Sequence, residues 1–281
     1  MAKAIYMRFP EGRSKVLTFS YDDGVETDIR FMEILDKYNM KGTFNINSGL
    51  YAPEGTVYPE GTVHRRMTKS QCETVYKNHE VALHALTHPF LEQLHTVHCT
   101  YEIMEDRKNL EKLTGKITRG MAYPFGTTSD MVVDVLKSCG IAYARTTVST
   151  ENFNLPKDWL RLPATCHHRV PNLMDLAKTF VEMDLTNRSS KMFYLWGHTY
   201  EFDGNDNWYV IEEFAEYMGN REDKIWYATN IEIYDYIKAY EQLHFDAEGT
   251  MCTNPTAVKI WLEKDNIIYC INPGETIQLG K

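Results

Sequence analysis

The chain lacks a Cys-x-x-Cys pair, a Gly-x-Ser-x-Gly elbow and any uninterrupted apolar stretch of membrane-spanning length. Its six cysteines, Cys72, Cys99, Cys139, Cys166, Cys252 and Cys270, stand far apart, so neither a zinc knuckle nor a redox pair is indicated and reduced, structural thiols are expected. Without the serine elbow, a serine esterase of the α/β-hydrolase kind is disfavoured. Lys and Arg are scattered, and 30 of them against 39 Asp and Glu leave a net charge of −9. That balance carries no nucleic-acid footprint and speaks mainly for solubility, so neither nucleic acid nor membrane is expected as a partner, while oligomeric state stays open. Met1–Arg8 has no signal-peptide core, which reads as a cytoplasmic address, although a trimmed secreted protein would look the same. Asn187-Arg188-Ser189 matches a glycosylation acceptor but carries little weight without a secretion signal.

What is present is an ordinary globular composition, 43% hydrophobic and 25% charged over 281 residues, enough for one large α/β domain and an appendage. The run Val16-Leu17-Thr18-Phe19-Ser20-Tyr21 is rich in β-formers and ends on Asp22-Asp23-Gly24. Two adjacent carboxylates repel, and a cation that takes one can leave the other to accept protons. Taken alone, the same residues also make a common turn. Downstream, Val81-Ala82-Leu83 leads into His84-Ala85-Leu86-Thr87-His88 and then Pro89, which disfavours helical geometry at His88 and suits the start of a following helix. One carboxylate and two imidazoles supply three ligands and leave positions open for water and substrate, the catalytic arrangement of a metal site.

Along the chain a β-then-α pattern repeats. After the first strand come a helix over Thr27–Tyr38, a strand over Thr43–Asn47, an aperiodic excursion from Ser48 to Arg66, a helix capped by Thr68 and the strand Glu80–Leu83. Pro89–Leu113 reads as mostly helical. Apolar runs then end at Pro124-Phe125-Gly126, Arg145, His167-His168, His198 and Asn230, with helices over Ser129–Ser138 and beyond Asn230. Strands alternating with helices, with polar residues at the strand ends, predict a distorted (β/α) barrel of seven or eight strands whose site lies on the C-terminal face. A flat doubly wound sheet would open on a glycine-rich phosphate turn, and here Asp-Asp-Gly occupies that place. Residues 1–245 are assigned to the barrel and 246–281 to a C-terminal β-hairpin extension, with Lys264-Asp265-Asn266 as its turn.

Asp-Asp-Gly on the first strand, His-x-x-x-His after the third, Pro-Phe-Gly after the fourth and a late strand-end histidine together resemble the polysaccharide deacetylase family, the NodB-homology or family 4 carbohydrate esterases, over roughly residues 12–240. The resemblance implies metal-dependent hydrolysis of N- or O-linked acetyl groups on a carbohydrate. It implies Asp22 as general base and His198 as general acid. Asp23, His84 and His88 become ligands of one divalent metal, zinc first and cobalt, manganese or nickel as alternatives. Phe125 becomes an oxyanion donor through its amide, with Tyr123 and Trp196 beside the substrate.

Two features depart from the family pattern. Ala122 stands where an arginine usually holds the base, and of the substitutes Arg119 and Arg145 the latter is preferred because it ends a strand. The usual Asp-Trp motif that tunes the acid histidine has only Asp158-Trp159, poorly placed, as a counterpart. His167 and His168 read as supporting or surface residues as readily as catalytic ones. The rival readings are a sugar-binding relative without catalysis and a two-His-one-carboxylate Fe(II) oxygenase.

Overall fold

The computed structural model describes residues 4–280. Its main sheet has nine strands, every pair parallel. In spatial order these are Leu162–Ala164, Tyr143–Ser149, Gly120–Ala122, Glu80–Leu83, Thr43–Ile46, Lys15–Asp22, Lys191–Gly197 and Cys166–His167, while Ile225–Tyr227 pairs with the first residues of Lys15–Asp22. The two end strands of this order are separated in the chain only by Thr165, whose N–H donates to the Tyr194 carbonyl at 2.9 Å. The order thus wraps round on itself as a distorted (β/α) barrel. Lys15–Asp22 is buried along its whole length, as a strand covered on both faces must be, with Val16, Leu17, Phe19 and Tyr21 in the core and the equally buried Thr18, Ser20 and Asp22 set between them.

Helices cover the outside. Asp28–Lys37, Lys69–Val75, Thr96–Thr114, Asp130–Ser138, Leu173–Glu182, Tyr209–Met218 and Asn230–Tyr240 alternate with the strands. Thr68 and Gln71 form a reciprocal capping box, as do Thr229 and Glu232, so each helix start satisfies its own backbone donors. Gly115, at φ 67°, ends Thr96–Thr114 in the left-handed conformation that favours glycine.

At the C-terminus, Ile260–Lys264 runs antiparallel to Ile267–Ile271. Asp265 and Asn266 between them both have positive φ, 56° and 64°, the signature of a tight two-residue hairpin turn. Ile5–Arg8 pairs with the other edge of Ile260–Lys264, so the first strand of the chain lies on the appendage and not in the barrel. The buried Arg8 donates from Nε to Glu263 at 2.9 Å and ties the two together. His244–Phe245, Met251–Thr253 and Thr276–Gln278 make a second small sheet.

Some sequence expectations need correction. The helix expected from Pro89 begins at Thr96, because His88 takes a left-handed φ of 57° and Leu91–Gln93 forms a 3-10 turn first. The apolar run that ends at His167-His168 is not one strand but a 3-10 turn at Trp159–Arg161 followed by the short strands Leu162–Ala164 and Cys166–His167. No helix among the described residues is long and apolar enough to cross a membrane.

Below the C-terminal face, Asp28 is fully buried and accepts hydrogen bonds from Thr199 Oγ1 at 2.5 Å, Tyr76 Oη at 2.6 Å and the Val25 N–H at 3.3 Å. Burial outweighs these bonds and pushes its carboxyl up to about 7. A carboxyl whose folded pKa is raised favours the folded state only while it is protonated, so its contribution is lost as pH rises through about 7. The melting temperature of Asp28→Asn should therefore fall less than that of the wild type between about pH 4 and 7, the interval bracketed by the unfolded and folded values. Parallel slopes in a thermal melt series would show that Asp28 stays ionised in the fold.

Candidate metal and catalytic site

The site is assembled where strands end. Asp22 is the last residue of its strand, and Asp23 and Gly24 follow with φ of 86° and 66°. These two left-handed residues turn the chain sharply, and the carboxylates of Asp22 and Asp23 take different partners.

Asp22 is buried, and both of its oxygens are taken by the guanidinium of the equally buried Arg145, with Nη2 to Oδ1 at 2.5 Å. Asn45 Nδ2 donates to the same Oδ1 at 2.8 Å. Arg145 also donates from Nε to Ser20 Oγ at 3.1 Å and lies 4.5 Å over the Trp196 ring. Arg145 is the direct cross-strand partner of Ala122, so the cation missing at position 122 is supplied from the next strand at the same level. Burial alone would raise the Asp22 pKa, but Arg145, His84 and His198 more than offset it and the carboxyl lies below its ordinary value.

Asp23, His84 and His88 each offer a ligand atom, all within 4.8 Å of one another. His84 Nδ1–H donates to the Ala122 carbonyl at 2.8 Å, which fixes its tautomer and leaves the Nε2 lone pair facing the carboxylates. Burial pushes the His84 pKa down despite Asp22 and Asp23, and burial with the neighbouring His84 takes His88 to about 4. Both rings are therefore neutral near pH 7. Asp23 is ionised, because the His64 hydrogen bond, His84 and Arg66 override its burial. Two neutral imidazoles and one carboxylate are a donor set that fits a divalent cation and leaves coordination positions open.

The backbone around this set is strained. Asp23, Ala85, His88 and Phe125 have φ of 86°, 60°, 57° and 59°, in the region that side chains other than glycine avoid. Each such residue costs on the order of 1–3 kcal/mol, and clusters of them mark functional sites.

His198 follows the strand Lys191–Gly197 and directs Nε2 at Asp22 Oδ2, 3.9 Å away. On its other side, Nδ1 stands 3.7 Å from Glu201 Oε1. Burial lowers the His198 pKa, but Glu201, Asp22 and Asp23 outweigh it and the ring lies above its ordinary value. Gly197 ends that strand without a positive φ, so conformational freedom is not what calls for a glycine there. The requirement is steric: a Cβ at Gly197 would overlap the His168 ring.

Tyr123 and Trp196, expected beside the substrate, are buried. Tyr123 Oη donates to the Leu160 carbonyl at 2.7 Å and Trp196 supports Arg145, so both belong to the floor of the site. Phe125 is half exposed and stacks on Phe90, with ring centroids 3.8 Å apart, edge-on to His88 at 4.5 Å. Sequence reasoning missed Arg66, which donates to Asp23 Oδ1 at 3.0 Å, and His64, which reaches Asp23 Oδ2 at 3.4 Å. Both come from the aperiodic excursion, where no period points to a contact. It also missed Glu201, which no motif marks.

Arg145→Met should leave the Asp22 carboxylate buried and uncompensated. Removal of one partner from a buried ion pair costs about 3–5 kcal/mol. A chemical-denaturation midpoint within error of the wild type would mean that Asn45 and water suffice to hold the charge.

The polysaccharide deacetylase family model matches residues 10–144. A crystal structure of a Mycobacterium smegmatis protein assigned to the polysaccharide deacetylases shares 17% identity at a TM-score of 0.58, covering 85% of this chain and 95% of that one. A Streptococcus pyogenes deacetylase in complex with acetate aligns at 22% identity and a TM-score of 0.48, covering 57% of this chain and 68% of that one. A family 4 carbohydrate esterase pseudoenzyme from Bacillus anthracis aligns at 18% identity and 0.47, covering 82% and 68%. At 17% identity the likeness to the Mycobacterium smegmatis protein speaks for the fold alone. No curated protein matches significantly. The matched segment, just under half of the chain, holds Asp22, Asp23, His84, His88 and Phe125, and over it the chain is similar to the polysaccharide deacetylase family.

Proposed function

We propose that the protein is a metal-dependent hydrolase that removes N- or O-linked acetyl groups from a carbohydrate. The observation that carries this reading is the juxtaposition at one barrel mouth of an ionised, arginine-held Asp22 with the ligand atoms of Asp23, His84 and His88, which lie within 4.8 Å of one another. Binding a sugar needs neither a proton acceptor nor a proton donor, and this site offers both.

Asp23, His84 and His88 would hold the cation, for which zinc suits the nitrogen-rich donor set, with cobalt, manganese or nickel as alternatives. When bound, it supplies Lewis-acid polarisation of the acetyl carbonyl and acidifies a water molecule. Asp22 accepts the proton of that water through Oδ2, the oxygen turned towards His84 and His198, while Arg145 and Asn45 hold its orientation. His198 gives a proton from Nε2 to the leaving amine or alkoxide. The Phe125 N–H donates to the developing oxyanion, and its left-handed φ of 59° sets the direction of that amide. Phe90 and Phe125 offer an exposed aromatic face on which a pyranose ring can rest.

Acetate release from a panel of acetylated chito- and xylo-oligosaccharides, before and after chelation, tests the reading. Chelator-sensitive release from at least one sugar is expected, and undiminished release after complete metal removal would contradict it. Asp22→Asn keeps the shape of the side chain but cannot accept a proton at neutral pH, so turnover should fall by about 10² to 10⁴. Near-normal turnover in that variant would move the base elsewhere.

A further inference from the structure

Beside the ligand set lies a second concentration of ionisable groups, centred on Glu201. His167 Nε2 and His168 Nε2 each stand 3.2 Å from its Oε2, while Arg169 Nη1 stands 3.3 Å and His198 Nδ1 3.7 Å from Oε1. Three of these four partners are consecutive in the chain. His168 Nε2, His198 Nδ1 and Glu201 Oε2 are buried without an aligned hydrogen bond, so the carboxylate sits among more donors than it can satisfy in line.

Such a cluster could hold a second cation or could hold protons, and the tautomers decide between them. His167 Nδ1 accepts the Arg169 backbone N–H at 3.1 Å, so a neutral His167 carries its proton on Nε2, the atom that faces Glu201. A protonated nitrogen cannot ligate a metal, and the Arg169 guanidinium adds positive charge to the same place. His168 Nδ1 lies 3.2 Å from Tyr21 Oη. Burial raises the pKa of Tyr21 and pushes that of His168 down to about 4, so a neutral phenol meets a neutral ring. If Tyr21 donates, His168 also turns an Nε2–H to Glu201. The opposite tautomer would set a lone pair against the carboxylate. Gly197 is the residue that admits this ring, since any Cβ there would overlap it.

With two imidazole N–H groups turned to Oε2 at 3.2 Å, Oε1 faces His198 Nδ1, and a hydrogen on that nitrogen is what avoids setting a lone pair against the carboxylate. We propose that Glu201, gripped by His167-His168-Arg169, is the positioning residue that keeps His198 as the Nδ1–H tautomer, so that the proton exchanged with the reaction is the one on Nε2. The proposal builds on the reading of His198 as proton donor, but the tautomer can be observed without any substrate.

The test is a ¹⁵N–¹H multiple-bond spectrum of the histidine rings at a pH where His198 is neutral, in the wild type and in Glu201→Gln. His167 and His168 should hold the glutamine carbonyl oxygen at the Oε2 position and turn its NH2 towards His198. The expected result is Nδ1–H in the wild type and a switch to Nε2–H in the variant. Turnover of amide or alkyl-ester substrates should fall about 10- to 100-fold at unchanged KM and unchanged metal content. Glu201→Ala should also lose the Nδ1–H preference, and Glu201→Gln, which keeps the shape, reads the result if the alanine variant does not fold. An unchanged His198 tautomer in Glu201→Gln would overturn the proposal. A wild type that binds two metal ions, one of them lost with Glu201, would overturn it in favour of a metal cluster. A tautomer switch in a protein that releases no acetate from any sugar would uphold the positioning role and count against the deacetylase reading alone.

Discussion

The Asp22–Arg145 pair is the constraint on which the rest of the site depends. A carboxylate at the inner end of a fully buried strand is tolerable only with a partner that is itself oriented. Arg145 meets that need from a separate strand, with Ser20, Asp22 and the Trp196 face fixing its guanidinium. Buried ion pairs contribute little net stability, so this pair is better understood as fixing a direction: Asp22 Oδ2 is turned towards His84 and His198.

Around that pair the barrel holds backbone conformations that isolated peptides avoid. Asp23, His88 and Phe125, two proposed ligands and the proposed oxyanion donor, are all left-handed, whereas the strands that carry them are regular and buried. The parallel sheet makes this strain bearable, because each irregular residue directly follows or closely succeeds a buried strand that is paired on both sides. The opposite, N-terminal end of the barrel has a cleft of about 880 Å³ lined by His79, Glu80, Lys41 and Glu232 among others. Its buried polar groups serve to dock the helix Asn230–Tyr240: Ile231 N–H donates to Glu80 at 3.0 Å and Asn230 N–H to Thr43 at 3.1 Å. Size alone does not mark the site of chemistry here, and the strand ends do.

Much of this was legible in the sequence, for local reasons. Asp22-Asp23-Gly24 and His84–His88 announce themselves because turn residues follow a strand-forming run, and the β-then-α alternation names the barrel. Arg145 could be preferred over Arg119 from its place at a strand end, although its pairing across from Ala122 needed the register. Arg66 and His64 could not be found, since an aperiodic loop encodes no contact and only tertiary packing brings them to Asp23. Glu201 lies on a five-residue helix whose approach to His167-His168-Arg169 depends on two distant strand ends meeting. The pairing of Ile5–Arg8 with Ile260–Lys264 joins the two ends of the chain and leaves no local trace either. The helices Leu173–Glu182 and Tyr209–Met218 do carry a readable period, with Leu173, Ala177 and Phe180 facing the core in the first, but each is short and lies between stronger strand signals.

The central claim is that Asp23, His84 and His88 form a preorganised site for one divalent ion, with ligands already in their binding protonation states at neutral pH. Calorimetric titration of Zn²⁺ into metal-stripped protein and into Asp23→Ala and His88→Ala tests it most directly. The account predicts one saturable site per chain in the wild type and its loss in both variants. Equal uptake by all three proteins, or no uptake by the wild type, would contradict it.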